Sequence, residues 1–447
     1  MVRASWGEDA ESGESAQREY EDGWSIVSTS EQQETVPVRV VDCDVHPVPK
    51  TLDEFVEHYP EPFRSRYFSR YKEDVPLSFL LYTPHSNTGG NQGMGGPGGY
   101  AAPPNGGGGG SDPDFLAQQL CVDNGTDYCI MNPLNFRPRH WDPEWDVAHC
   151  SAVNNWLAAN WLEGNANRHG RFFGAILVTS LDGEAAAREL ERWAGHPAFV
   201  QSYLIADSHV AFGNPQFEPL LEATSRHNLP LATHLYRHAG IRSMTPVGFP
   251  SYHVETLPNW IFTYISHVTS LVFEGVFERY PNLKFVGVEG GCEWVAPLMW
   301  RLDRQWERLG AEVPQVKRRP SEIIREHMRF ATQPLCEPRG PKDLARYMEW
   351  GAAAETMVFS SDYPHYDFDP AAWVAQQLPA EWRDRVMAEN ALETYGLPAE
   401  RPRDHLDDMK APNFRIEAGV RRDSALAAIR AGTYASTNEK PWIESVD

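Results

Sequence analysis

The stretch Val41–Pro47 places a carboxylate and an imidazole at a spacing that suits metal binding. Asp44 and His46 lie two residues apart, after the largely β-branched run Val36–Val40. Side chains two residues apart on a strand point to the same face. A carboxylate and an imidazole that converge on one point supply half of a divalent-metal site. A strand that ends in polar residues would show the same pattern, so this motif needs further ligands from elsewhere in the chain.

Matching residues stand at the ends of later predicted strands. His234 ends the fifth, Glu289 ends the sixth, and Asp362 directly follows the eighth. In a parallel α/β barrel the carboxyl ends of the strands meet at one rim, where catalytic residues gather. We therefore expect these three side chains beside Asp44 and His46. His238, four residues after His234, is a further candidate ligand, or a loop residue that contacts solvent.

The elements that must position these residues alternate between short apolar runs and amphipathic segments. After the first strand, the predicted strands cover residues 128–131, 172–179, 199–206, 229–234, 283–289, 328–332 and 357–361. Predicted helices separate most of them, including a long one over 260–279. This alternation predicts the α/β class and a (β/α)8 TIM barrel over residues 36–400.

Three segments do not fit a packed barrel. Residues 1–35 are acidic and polar and predict a mobile N-terminal tail. Residues 87–112 form a Gly-rich insertion, interpreted as a flexible excursion that is either a lid at the substrate entrance or an inert surface loop. Residues 401–447 form a C-terminal extension that we expect to contact a neighbouring subunit, in a homo-oligomer or with a homologous chain.

Composition excludes some classes of function. The formal net charge is −22 over 447 residues, which disfavours nucleic-acid binding. No apolar run approaches the length of a membrane span, and the N-terminus lacks a signal-peptide pattern. The six cysteines form no C-x-x-C pair and read as reduced core thiols. We therefore expect a cytoplasmic protein with neither a membrane nor a nucleic-acid partner.

Two blocks of sequence carry a family resemblance. The first runs from Gly275 to Phe285 and continues into Glu289-Gly290-Gly291, and the second is Phe359–His365. Over residues 38–396 the chain resembles the amidohydrolase superfamily, in the branch of aminocarboxymuconate-semialdehyde decarboxylase-like proteins. The resemblance implies metal ligands at Asp44, His46, His234 and Asp362, with Asp362 also acting as a proton acceptor. Many members have a histidine where this chain has Glu289.

The number of donors bears on the number of metals. A catalytic zinc site needs about three protein ligands and one open position. The predicted set exceeds this number: Asp44, His46, His234, His238, Glu289 and Asp362. It predicts two divalent transition-metal ions, with iron favoured and manganese or zinc compatible.

The donor set leaves several reactions open. The replacement at Glu289 favours O2-dependent hydroxylation of a small organic substrate at a dinuclear non-haem centre, as in a subset that resembles isobutylamine N-hydroxylase. The alternatives are hydrolysis by metal hydroxide or non-oxidative decarboxylation with zinc or manganese. A non-catalytic subunit of an enzyme complex is the remaining alternative.

Roles follow for individual residues. Asp362 and His238 are the predicted catalytic groups, and Trp294, Tyr363 and His365 the predicted substrate-binding residues. Three other polar residues lie in or near the motifs, and a structural role is favoured for each. Asp42 either forms a hydrogen bond within the barrel or orients a ligand, His267 either packs against its neighbours or joins the site, and Cys292 is either a core thiol or a nucleophile.

Overall fold

The computed structural model describes residues 39–70, 101, 103–134, 142–235, 255, 257–336, 338, 341–365 and 368–402. The chain divides into a unit of residues 1–38 and a unit of residues 39–447, and the described residues all lie in the second unit. Several predictions fall outside the described residues: the N-terminal tail, much of the Gly-rich insertion, His238 and nearly all of the C-terminal extension.

Within the described residues, one sheet of eight parallel strands runs in sequence order, each strand pairing with the next. The strands are β1 Val41–Val45, β2 Tyr128–Met131, β3 Phe172–Leu177, β4 Phe199–Ile205, β5 Leu231–His234, β6 Phe285–Val288, β7 Met328–Ala331 and β8 Met357–Val358. The Cys43 N–H donates to the Phe359 carbonyl at 3.0 Å, and a parallel bridge joins Val45 to Tyr363, so β8 returns to β1. The predicted TIM barrel is confirmed.

Helices separate the strands along the chain. They are α1 Leu52–Val56, α2 Phe63–Arg70, α3 Pro113–Ala117, α4 Pro143–Leu157, α5 Gly183–Trp193, α6 Glu218–Arg226, α7 Leu257–Phe273, α8 Val276–Arg279, α9 Val295–Leu309, α10 Pro320–His327, α11 Pro341–Trp350, α12 Ala353–Thr356, α13 Ala371–Gln377, α14 Ala380–Asp384 and α15 Asn390–Tyr395. No helix of the described part is long and apolar enough to span a membrane.

Local sequence explains where these helices begin and end. The Asp182 side chain accepts from the Ala185 N–H and so caps α5, whose Ala186 and Leu190 are buried. The single helix predicted over 260–279 is wrong in one respect, because it breaks into α7 and α8. Gly275 between them adopts a left-handed conformation with φ 68°, which suits glycine and ends a helix.

Candidate metal centre

The predicted ligands converge at the carboxyl ends of the strands. Asp44 belongs to β1, and His46 is the first residue after it; His234 is the last residue of β5. Glu289 directly follows β6, and Asp362 lies in the loop after β8. Asp44, His46, His234 and Asp362 place their ligand atoms within 4.8 Å of one another, and all four are fully buried.

Short distances join these side chains. His46 Nε2 lies 2.8 Å from Asp362 Oδ1 and 3.4 Å from Asp44 Oδ1. His234 Nε2 lies 3.2 Å from Asp44 Oδ2 and 3.1 Å from Glu289 Oε2. Each histidine therefore directs Nε2 toward carboxylate oxygens, an arrangement that could hold a divalent ion.

A second donor group shares Asp362. It consists of Glu289, Asp362 and His365, and His365 Nδ1 lies 2.6 Å from Asp362 Oδ1. Glu289 and Asp362 adopt positive φ angles of 57° and 62°, which non-glycine residues rarely do. Strained backbone of this kind concentrates at functional sites, where the surrounding structure holds it in place.

Three amides orient the ligands, and sequence reasoning missed them. Asn132 Nδ2 donates to Asp44 Oδ1 at 3.0 Å, while Asn132 Oδ1 accepts from Gln201 Nε2 at 2.7 Å. Gln333 Nε2 donates to Asp362 Oδ2 at 3.2 Å. Asn132 and Gln333 also follow predicted strands, so a search for any polar residue there would have found them. Gln201 is visible only as a polar residue within the apolar run of β4.

Backbone carbonyls set the orientation of the histidine rings. His46 Nδ1 lies 2.8 Å from the Asn132 carbonyl, and His234 Nδ1 bonds to the Leu235 carbonyl. Because a carbonyl can only accept, each Nδ1 carries a proton. With the proton on Nδ1, the nitrogen that faces the cluster is Nε2, whose lone pair is the one available to a metal.

Burial and charge act in opposite directions on the buried groups. Burial alone would lower the pKa of His46, but Asp44 and Asp362 raise that pKa to about 9. Burial likewise acts against ionisation of Asp362, yet His365 and His46 hold the pKa of that carboxyl well below its usual range. Without a metal, His46 is therefore protonated and Asp362 ionised at neutral pH.

Two predicted substrate-binding residues have other contacts in the structure. The Trp294 ring lies 5.1 Å from that of Phe330, and its N–H donates to the Gly290 carbonyl at 2.8 Å. The buried Tyr363 hydroxyl donates to Gln119 Oε1 at 2.6 Å. Contact of Trp294, Tyr363 or His365 with a substrate stays a prediction.

The residues interpreted as structural have contacts that account for them. Asp42 Oδ1 accepts from the Ser361 N–H at 2.9 Å, and burial raises the pKa of Asp42 to about 7. His267 stacks on Phe212 at 3.6 Å. Cys292 is buried, and burial raises the pKa of its thiol well above the ordinary value, which suits a core thiol rather than a nucleophile.

Comparison with known proteins identifies the family. The model of the Amidohydrolase family matches residues 41–397, a span that contains every strand and the whole donor cluster. The chain belongs to this family. It is an enzyme of the amidohydrolase superfamily, whose members depend on a metal.

Individual relatives are decarboxylases. A gamma-resorcylate decarboxylase from Polaromonas sp. is 28% identical over 240 residues, covering 49% of this chain and 67% of that protein. The 5-carboxyvanillate decarboxylase of Sphingomonas paucimobilis superposes with a TM-score of 0.57 at 21% identity, over 81% of this chain and all of that one. The 5-carboxyvanillate decarboxylase of Novosphingobium aromaticivorans, complexed with manganese, has a TM-score of 0.54 at 14% identity, over 80% and 96%.

Proposed function

We propose that this chain is a metal-dependent decarboxylase that acts on a small organic acid without consuming O2. The observation that carries the proposal is the buried convergence of Asp44, His46, His234 and Asp362. The similarity to a gamma-resorcylate decarboxylase supports the choice of reaction. A divalent ion, when bound, supplies an electrophile that stabilises negative charge on a substrate oxygen.

The donor set fits such an ion on electrostatic grounds. Asp44 and Asp362 are fully buried, and among the described residues no Lys or Arg lies within ion-pair distance of either. Without a metal, the three carboxylates of Asp44, Glu289 and Asp362 outnumber the positive charge of His46, and buried charge that is not fully compensated is costly. Imidazole together with carboxylate accepts manganese, iron or zinc.

Access to the cluster favours one direction of approach. The side chains of Asp44, His46, His234 and Asp362 are fully buried, whereas those of His365 and Glu289 are 13% and 8% exposed. Among the described members of the cluster, Glu289 and His365 are therefore the accessible ones, and the proposed substrate approaches from their side. The partial exposure of His365 supports the predicted contact of this residue with the substrate.

Decarboxylation also needs a proton. When the bond to the carboxylate carbon breaks, CO2 leaves and its bonding electrons remain on the substrate carbon, which must gain one proton. His365 lies on the accessible side, and its Nδ1 is held by Asp362 Oδ1. We assign this proton to the Asp362–His365 pair. With one divalent ion among the carboxylates of Asp44, Glu289 and Asp362, a proton on His365 makes the centre neutral.

O2-dependent hydroxylation is a second candidate, favoured by the second donor group. Here Glu289, Asp362 and His365 would hold a second ion that shares Asp362 with the first. Two divalent ions would leave the same carboxylates with one net positive charge. This candidate requires the two iron ions that we predict from the sequence.

Metal counting and gas exchange separate the two candidates. We would purify the protein without air, measure its metals by mass spectrometry, and incubate it with 2,6-dihydroxybenzoate, 5-carboxyvanillate and related acids. The proposal expects one ion per chain and CO2 release at the same rate with and without O2. Two iron ions per chain, with O2 consumed in proportion to product, would establish hydroxylation instead.

Two variants sharpen this test. Glu289→Gln leaves one ion per chain if the first candidate is right, because Asp44, His46, His234 and Asp362 still hold it, whereas it reduces two ions to one under the second. His365→Asn keeps, in both cases, the ion held by Asp44, His46, His234 and Asp362, which we call the inner ion. It slows CO2 release by about 100-fold if His365 carries the proton.

A further inference from the structure

A surface cleft of about 520 Å³ lies away from the donor cluster, between helices on the outside of the barrel. Its lining includes Trp300 of α9, Trp350 of α11 and Trp382 of α14. None of the metal-centre residues lines this cleft. It is large enough to enclose a small organic molecule.

Two of these tryptophans are exposed to an unusual degree. Trp300 is 53% exposed and Trp350 is 51% exposed, although Trp is highly buried on average. Their rings lie 5.7 Å apart between centroids at an interplanar angle of 62°, so the edge of one ring packs toward the face of the other. The negative face of an indole ring attracts cations, and Trp does so more strongly than Tyr or Phe.

The charged residues of the cleft are mostly acidic. Asp303, Glu349 and Glu355 line it together with one cation, Arg325. Arg325 is already paired with Glu355 at 2.6 Å, and Asp303 accepts two hydrogen bonds from Ser321. Among the described residues, Glu349 has no Lys or Arg within ion-pair distance. The cleft therefore combines indole faces with an excess of negative charge.

We propose that this cleft binds a small organic cation, with Trp300 and Trp350 against its alkyl groups and Glu349 opposite its charge. The negative charge of the lining argues against an anionic ligand. Aromatic walls with a nearby carboxylate are the chemistry that recognises alkylammonium groups. This inference does not depend on the proposed decarboxylation, because no residue is shared between the two sites.

Calorimetry with choline and its uncharged isostere 3,3-dimethylbutan-1-ol tests the proposal. We expect choline to bind the intact protein at least about tenfold more tightly than the alcohol. Trp300→Ala and Trp350→Ala should each weaken choline binding by about tenfold, and Glu349→Gln by about threefold. Phe262→Ala is the matched control, since Phe262 is 46% exposed but does not line the cleft.

Other outcomes would overturn the inference. Equal binding of choline and the alcohol would show an apolar cleft without charge selectivity. Unchanged choline binding in both tryptophan variants would place the cation elsewhere. Light scattering on the same variants completes the test: if Trp300→Ala and Trp350→Ala dissociate an oligomer and no choline binds, the face is a contact between copies. Metal content, measured in parallel, should stay constant in all four variants.

Discussion

At the residue scale, His46 lies between two carboxylates. The charges of Asp44 and Asp362 raise its pKa to about 9, whereas the ordinary value is 6.5. A metal that takes the Nε2 lone pair has to displace the proton that Nε2 carries at neutral pH. Metal affinity and proton release are therefore linked through this residue.

We predict that the metal-free protein releases about one proton from His46 for each inner ion bound at pH 7.5. Release should fall toward zero, and affinity should level off, as the pH rises through about 9. A pH indicator in weak buffer, titrated with manganese or zinc, measures the release. His46→Gln removes the titrating group and is the control. Metal binding without proton release at pH 7.5 would contradict the charge state assigned to His46.

The same pKa affects folding. Because the pKa of His46 is higher in the folded state than the unfolded value, its protonation stabilises the metal-free fold fully below about pH 6.5. That contribution is lost as the pH rises through about 9. Urea unfolding of metal-free protein across this interval should show the decline, and His46→Gln should not show it.

Asn132 forms hydrogen bonds with Asp44 of β1 and with His46, which follows β1, through different atoms. Its Nδ2 donates to Asp44, and its carbonyl accepts from His46 Nδ1. Gln201 fixes which way the Asn132 carboxamide points, because its Nε2 donates to Asn132 Oδ1.

We predict that Asn132→Asp lowers metal affinity by about 10- to 100-fold. The new carboxylate would face Asp44 Oδ1 where a donor now stands, and the two charges repel in a buried site. Competition with a chelator measures the dissociation constant. Asn160→Asp serves as control, since Asn160 bonds to Trp156 and His58 rather than to the cluster. If the two variants bind metal equally well, the orienting role of Asn132 is wrong.

At the scale of elements, the loops after the strands place the ligands. Residues 103–112 of the Gly-rich insertion contact the loop after β1. The Gly110 carbonyl accepts from the Val48 N–H at 2.8 Å. A Cβ on Gly110 would lie only 2.4 Å from the His46 carbonyl oxygen, and Gly110 has a φ of 76°. This part of the insertion therefore packs directly on the segment that carries His46.

We predict that Gly110→Ala lowers the free energy of unfolding by about 2–4 kcal/mol and weakens metal binding, because the loop must move away from His46. Gly106→Ala is a matched control. Gly106 also has a positive φ of 86°, but a Cβ there has no neighbour within 4 Å. It should cost only about 1 kcal/mol of backbone strain and leave metal affinity unchanged. Equal losses in the two variants would show that the contact with His46 is unimportant.

At the scale of the whole molecule, the barrel begins where the family match begins. Strand β1 starts at Val41, and the Amidohydrolase model matches from residue 41. Residues 1–35 precede both the strand and the match. The predicted tail 1–35 should therefore be dispensable for folding of the barrel.

We predict that a chain lacking residues 1–35 keeps its metal content and unfolds within about 2 °C of the full chain. Scanning calorimetry and metal analysis on both chains provide the measurement. A decrease of many degrees, or loss of metal, would mean that the N-terminal segment stabilises the barrel. Light scattering of the same two chains tests whether the segment takes part in the predicted oligomer.

The barrel, most strand positions and five residues of the donor cluster can be predicted from the amino-acid sequence. Periodicity and polar residues at strand ends are local signals, so Asp44, His46, His234, Glu289 and Asp362 could be found without coordinates. The sequence pattern did not predict the break of the long helix at Gly275, because a glycine inside an amphipathic pattern does not by itself indicate a left-handed conformation.

The contacts among these residues depend on the folded chain. It placed His365 against Asp362, brought Asn132 of one strand end to Asp44 and His46 of another, and set Gly110 on the His46 carbonyl. It also placed Trp300 beside Trp350, although the two are far apart in the chain. Such contacts join residues through the closure of the barrel and the packing of its helices. These contacts cannot be predicted from the spacing of the residues along the chain, because they depend on the register of all the intervening strands.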